Sequence, residues 1–178
     1  MTTPTLRPDE ANLFEKLDAL GILHETREHP PIFTVEQSKG FKADWPGGHT
    51  KNLFLKDKAG QFVLICALGH TSVRLNKLHK ILETKRLSFG AEDALWEHLG
   101  VRPGSVTLFS ILNDTEGKVR LVLDKALFGP ERVWFHPLRN TASTAIASKD
   151  ILRFCEAADH SPAVIDFTLL AENQDAAS

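Results

Sequence analysis

The sequence predicts an α+β fold: a mixed, partly barrel-like β-sheet core with helices packed around it. Two observations lead there. Apolar runs of strand length dominate from Lys51 onward and arrive in adjacent pairs. Helical stripes interrupt them without the regular strand–helix alternation of a parallel α/β protein. The size agrees, since 178 residues with 42% apolar and 25% charged side chains suit one domain that buries roughly 70% of its unfolded surface. No repeat or linker divides the chain, so the expectation is one domain over 1–178, with 1–7 and 171–178 as flexible ends.

Taken in order, PDEANLFEKLDALG sets Leu13, Phe14, Leu17 and Leu20 on one stripe, with Pro8 and Asp9 at the start and Gly21 as the stop. That is a first helix. ILHETREH follows as an extended stretch up to Pro30-Pro31, and Thr34-x-x-Gln37 has the capping-box pattern of a brief second helix ending near Gly40. WPGGHT reads as a loop. KNLFLKD and QFVLICAL, joined by KAG, read as a hairpin, and VTLFSIL and KVRLVLD around NDTEG as a second one. Between them, Leu75, Leu78, Ile81 and Leu82 mark one helix, and AEDALWEHLG, with acids first and glycine last, marks another. RVWF, a strand around NTASTAIA, a helix capped by Ser148 through SKDILRFCEAAD, and a strand AVIDF complete the set.

Composition excludes several function classes. No run approaches 18 apolar residues, and MTTPTLRPDE has no basic region leading into an apolar one, so the expectation is a cytoplasmic protein without a membrane partner. Cys66 and Cys155 each sit inside an apolar run and read as buried structural thiols. The eight histidines and two cysteines show no zinc-ligand spacing, and PGGH at 46–49 lacks the length and sequence of a phosphate loop. No metal and no cofactor is expected.

Charge is distributed unevenly. The chain is minus two overall, yet Lys51 to Arg86 carries eight basic residues against two acidic ones, a local plus six that leaves minus eight elsewhere. Such a segment fits either a phosphate-tracking face or a solvated helix face with hairpin lysines. If it is a phosphate face, binding is weak and salt-sensitive.

Three loops hold the candidate chemistry. PGGHTKNLFLKD brings Lys51 and Asn52 to the start of a buried strand, where polar groups are held rigidly yet stay reachable. By position alone Lys51 is equally a surface charge. GVRPGSV, from Gly100 to Val106, leaves the Gly104 and Ser105 amides free to approach a ligand, or is simply a helix stop and turn. WFHPLRNTAS supplies His136, either a site residue or a structural histidine.

HPPIF (29–33), PGGHTKNLFL (46–55), RLSFG (86–90), GVRPGSVT (100–107), ILNDTEGKVRLVLDKAL (111–127) and FHPLRNTAS (135–143) together resemble the prolyl-tRNA-synthetase-associated editing domain family. Within it, the chain looks most like the freestanding bacterial deacylases that remove alanine mischarged onto proline tRNA, over residues 8–168 in continuous order. The resemblance implies a metal-free, cytoplasmic hydrolase. Its partner would be the acceptor end of tRNA(Pro), with prolyl-tRNA synthetase or the elongation machinery as further candidates. Lys51 matches the family's functional lysine, which holds the terminal adenosine, and Asn52 a residue at the same end of the substrate. Gly104 matches the glycine of a Gly-x-x-x-Pro loop that contacts the aminoacyl group, followed by Ser105 and Val106; Leu108 stands where many relatives have proline. Ser88 and His136 fall in matching strings with supporting roles.

The chemistry is consistent with this. An aminoacyl ester is already activated, so its hydrolysis needs a positioned water and oxyanion stabilisation more than a covalent nucleophile. Alanine is smaller than proline, and each missing methylene gives a synthetic site only about 1–3 kcal/mol of discrimination, so a second sieve is required. Ile32 and Phe33, beside the rigid Pro30-Pro31, are candidates for its wall, or for plain core. The alternatives are a deacylase for serine, cysteine or threonine on tRNA, or a non-catalytic binder of tRNA ends or of the synthetase.

Overall fold

The computed structural model of the chain describes residues 10–31 and 45–168. The expected helix over 34–40, Ile32 and Phe33, and the ends 1–7 and 171–178 lie outside the described residues. Helix α1 (Glu10–Ala19) buries Leu13 and Leu17 completely. It stops where Gly21 turns left-handed at φ 71°, letting the Ile22 amide donate back to the Leu17 carbonyl at 2.9 Å. Strand β1 (His24–Glu28) follows at once.

The first expected hairpin forms. β2 (Gly48–Asp57) and β3 (Phe62–Leu68) pair antiparallel from Thr50 opposite Leu68 to Lys56 opposite Phe62. Asp57 holds the turn, its Oδ1 accepting the Ala59 and Gln61 amides at 2.9 and 2.8 Å and its Oδ2 the Lys85 amide at 3.1 Å. The loop expected over WPGGHT is shorter than its sequence suggests, because β2 already begins at Gly48. Glycine permits this: a Cβ at Gly48 would sit 2.6 Å from Leu68 Cδ2, and one at Gly47, with φ 108°, 2.5 Å from the Arg132 carbonyl oxygen.

Helix α2 (Leu75–Leu82), short strand β4 (Leu87–Phe89) and helix α3 (Glu92–Leu99) come next, with Gly100 capping α3 at φ 68°. The second expected hairpin is absent. Its first arm is a 3₁₀ helix over Leu108–Asn113, started by Thr107, whose Oγ1 accepts the Phe109 amide at 3.3 Å while the Ser110 hydroxyl donates to the Thr107 carbonyl. These local bonds occupy the groups that a strand would have offered to a neighbour. The second arm, β5 (Val119–Asp124), finds other partners and runs parallel to both β3 and β8 (Ala163–Ile165). β6 (Arg132–Phe135), β7 (Ala142–Ala147) and α4 (Ile151–Ala157) are close to expectation. Ser148 does not cap α4, however; it starts a 3₁₀ turn and its hydroxyl turns to the Glu131 carbonyl at 3.4 Å.

The strands form one mixed sheet in the order β1-β7-β6-β2-β3-β5-β8, with β4 also on β2. Since side chains alternate across a strand, each face has its own core. Phe54, Leu64, Cys66, Leu121, Leu123, Val133, Phe135 and Ile146 meet α1, α3 and α4 through Leu13, Leu17, Leu95, Leu99 and Phe154 in the larger cluster. Leu55, Val63, Ile65 and Val122 meet α2 through Leu78 and Leu82 in the smaller one. Cys66 and Cys155 are free and buried in the larger core, and burial pushes both thiols up, Cys155 to about 12. They are inert filling.

One buried ion pair joins the turn before β5 to the end of α4. His160 donates from Nε2 to Asp114 Oδ2 at 2.8 Å and from Nδ1 to the Ala158 carbonyl at 2.7 Å. Both partners can only accept, so the ring carries both protons and is an imidazolium. Asp114 also accepts the Lys118 and Val119 amides, both at 2.9 Å. The hydrogen bond from Asp114 leads the causes that raise the pKa of His160; for Asp114, burial opposes but bonds from His160 and the two amides prevail and lower it. The stability contributed by His160 is therefore full below its unfolded pKa of about 6.5 and is lost as pH rises through the raised folded value, whereas that of Asp114 is lost only as strong acid protonates it. His160→Gln, which leaves the carboxylate buried without its cation, is expected to cost about 3 kcal/mol in denaturant unfolding near pH 6. The deficit relative to wild type should shrink at pH 9; a deficit independent of pH contradicts the imidazolium assignment.

Candidate active site

β2 is the strand on which the site is built. Its first residues pair in parallel with β6, Gly48 opposite Val133 and His49 opposite Trp134, and its last three pair with β4 from Leu55 to Asp57. Between these two ladders, Lys51, Asn52 and Leu53 have no strand partner on that side among the described residues. Among the described residues the sheet has a break here. Thr50 marks its edge, donating from Oγ1 to the Trp134 carbonyl at 2.7 Å.

Lys51 and Asn52 flank the break from opposite faces, as successive strand residues must. Lys51 shares the α2 face with Leu53 and Leu55. It lies opposite Ala67 on β3, and the register of β3 with β5 brings Asp124 into the same row one strand further on. Lys51 is half-buried. Desolvation holds its ammonium below the ordinary lysine range, and the Asp124 carboxylate partly offsets this. Asp124 is itself buried and fixed by the Leu68 and Ala126 amides and the Thr71 hydroxyl, at 3.2, 3.0 and 2.5 Å.

By alternation from the His49–Trp134 pair, Lys51 and His136, each two residues further on, fall on the same face. His136 Nδ1 donates to the Ala142 carbonyl at 2.9 Å. His29 stands 5.9 Å from His136, ring to ring, donates from Nδ1 to the Pro30 carbonyl at 2.8 Å and accepts the Ser143 hydroxyl at Nε2, at 2.9 Å. Sequence reasoning quoted His29 only inside a motif; its distance of 114 positions from Ser143 leaves no local trace. The same face continues into an aromatic and cationic layer. Trp45 and Trp134 are 4.9 Å apart, Arg27 lies 5.2 and 5.3 Å from their rings, and Arg132 lies 5.0 Å from Trp134. Glu25 accepts from both arginines, at 2.7 and 2.6 Å.

Asn52 points to the opposite face, opposite Cys66. Its Nδ2 donates to Thr50 Oγ1 at 3.3 Å, while its Oδ1 is buried and accepts no hydrogen bond from the protein. A buried acceptor without a donor is rare in native structures and calls for a ligand or solvent donor. The Gly104 loop is on this side too. Val101 and Val106 pack on the larger core, and Phe109, just beyond, meets Phe135 edge-on at 5.4 Å, next to His136. Gly104 takes φ 91°, but the buried Ser105 does not offer its amide to a ligand as expected, because that amide donates to the Arg102 carbonyl at 3.0 Å. Leu108 is fully buried, and the Thr107 cap takes over the stiffening that proline would give.

Ser88 is not brought to this place. It is exposed on β4 opposite Lys56, on the other face from Lys51 and five residues along β2, or about 17 Å. Ile32 and Phe33 lie outside the described residues. The structure thus gathers Lys51 and His136 on one face and Asn52 on the other, around one opening in the sheet. A cation and an unfilled acceptor can hold a phosphate and a hydroxyl or ammonium donor, respectively, with a histidine on the cation's face.

The aminoacyl-tRNA editing domain model matches residues 29–154, which include all of these groups. The chain is 38% identical over 162 residues to the prolyl-tRNA synthetase associated domain-containing protein 1 of Mus musculus, covering 88% of this chain and 95% of that protein. It is 34% identical over 143 residues to the prolyl-tRNA editing protein ProX of Acetoanaerobium sticklandii, covering 80% and 87%. A solved candidate trans-editing enzyme for prolyl tRNA synthetase has the same fold, with a TM-score of 0.66 over 93% of this chain and 98% of that one at 18% identity. On this sequence and fold agreement the chain belongs to the aminoacyl-tRNA editing domain family, and its activity is that of an aminoacyl-tRNA deacylase.

Proposed function

We propose that the protein acts in trans on Ala-tRNA(Pro) in the cytoplasm, releasing alanine and free tRNA(Pro). The observation that carries this reading is the pair at the break in β2: a half-buried cation, Lys51, on one face and a buried acceptor without a donor, Asn52 Oδ1, on the other. Lys51 anchors the phosphate and ribose of the terminal adenosine. Asn52 Oδ1 accepts a hydrogen bond from a hydroxyl or ammonium group at the aminoacyl end. Water adds to the ester carbonyl, and the ribose oxygen leaves with a proton; the neighbouring ribose hydroxyl orients the water and passes the proton, and His136 supports the substrate beside it. Gly104 lines the aminoacyl pocket with its backbone, Ser105 and Val106 hold that backbone in place, and Ile32 and Phe33 form the wall that admits a methyl group but not a pyrrolidine ring.

Single-turnover hydrolysis of a tRNA panel tests the reading directly. Ala-tRNA(Pro) should be deacylated much faster than Pro-tRNA(Pro) and than tRNA(Pro) carrying serine, cysteine or threonine; equal rates on alanine and proline exclude a size sieve. Ile32→Ala with Phe33→Ala should narrow the alanine-to-proline ratio by roughly ten-fold if these residues form the wall, given about 1–3 kcal/mol per methylene-sized contact.

Lys51→Ala should lower kcat/KM by about a hundred-fold or more with the fold intact by circular dichroism, as expected when a positioning group is lost. The pH dependence has a definite sign. An anchor must be protonated to hold phosphate, and desolvation lowers the pKa of Lys51, so kcat/KM should decline on the alkaline side at a lower pH than an ordinary lysine would give. Lys51→Arg, charged throughout, should remove that decline.

A further inference from the structure

We propose that Phe89 is a stacking platform for the single-stranded nucleotides that precede the terminal adenosine of the RNA substrate. The inference rests on the proposed anchoring of that adenosine at Lys51 and extends it along the strand. Phe89 is 65% exposed, a rare state for a phenylalanine, and it lies on β4 opposite Leu55, on the same face as Lys51. The four residues from Lys51 to Leu55 span about 13 Å, the length of about two nucleotides of extended RNA. The path between them follows the edge of β2 where Lys51–Leu53 have no strand partner among the described residues.

The charge around Phe89 suits a polyanion. Lys85 and Arg86 lead into β4 and Lys58 donates its amide to the Arg86 carbonyl, so this edge of the sheet carries exposed basic residues; Lys56, opposite Ser88, belongs to the other face, where its ammonium lies 5.6 Å from the Phe62 ring. Asp57, opposite Leu87 on β4, is buried and turns its carboxylate inward onto three backbone amides. Glu92, at the start of α3, lies 3.9 Å from Arg102. An exposed aromatic ring on a cationic sheet edge, on the same face as a phosphate anchor, is a combination that single-stranded RNA sites use, since every base has a π-face to stack. Gly90 keeps the strand close: its amide donates to the Phe54 carbonyl at 2.9 Å, and a Cβ there would come 2.5 Å from the Phe54 ring.

Two deacylated acceptor-stem RNAs test this, one ending in the single-stranded CCA and one stopping before it, so the outcome is independent of which amino acid the enzyme removes. Wild type should bind the CCA-ended RNA more tightly. Phe89→Ala should reduce that preference by roughly ten-fold, within the range for loss of one base–aromatic stack, and Phe89→Trp should keep or increase it. 2-Aminopurine at the penultimate position should be quenched by wild type and by Phe89→Trp, and much less by Phe89→Ala. Equal weakening of both RNAs by Phe89→Ala, or no change in the preference, overturns the assignment, and the second result points instead to a protein partner for this ring. Loss of amino-acid selectivity in the panel above, with the CCA preference intact, would remove the Ala-tRNA(Pro) reading and leave the platform standing.

Discussion

The pairing of β2 is the constraint on which the rest depends. This strand belongs to both halves of the sheet: it runs parallel to β6 at its start and antiparallel to β4 at its end, and along its other side it is paired with β3 from Thr50 to Lys56. A strand held along one side and at both ends of the other cannot shift register without turning every side chain over. Rigidity and access therefore coexist at Lys51–Leu53. A loop could offer access but not the fixed geometry that catalysis by positioning requires.

The two faces of the sheet divide the work. One is filled by the larger core and three helices, and it supports Asn52 and the Gly104 loop. The other is covered by α2 over β2, β3 and β5, and by the Arg27, Trp45, Trp134 and Arg132 layer over the remaining strands. Glu25 holds both arginines against the tryptophans, so the layer is tied by ion pairs and cation–π contacts and not by aliphatic packing. This leaves the Lys51 and His136 surroundings polar and desolvated together. Desolvation explains why the Lys51 ammonium is held low, and the buried Asp124 in its row explains why it is not lower still.

Much of this was legible in the sequence wherever local chemistry decides. α1, α2 and α3 follow from stripes and glycine stops, and the β2–β3 hairpin from two apolar runs about a KAG turn. The place of Lys51 ahead of a buried run is legible in its motif. Local chemistry also explains one failure: residues 108–113 look like a strand, but Thr107 and Ser110 satisfy the backbone in place and wind it into 3₁₀. Ser88 was misleading as a companion of Lys51 because its motif is shared while its strand lies further along β2. The roles of His29, Ser143 and Asp124 could not be read, since their partners are more than 50 positions away.

The sequence by itself determined most of the described helices and strands, where the cationic segment begins and which family's motifs are present, because periodicity, caps and motif residues act within a few positions of one another. Only the tertiary structure decided which strands neighbour which. The parallel pairing of β5 with β3 and β8, the break in the sheet at Lys51 and the opposite facing of Asn52 all follow from that choice. The reason is physical: an apolar alternation states that a strand will bury one face, but its hydrogen-bonding edges are chemically alike from strand to strand. The partner is settled by how the whole set of faces packs around two cores.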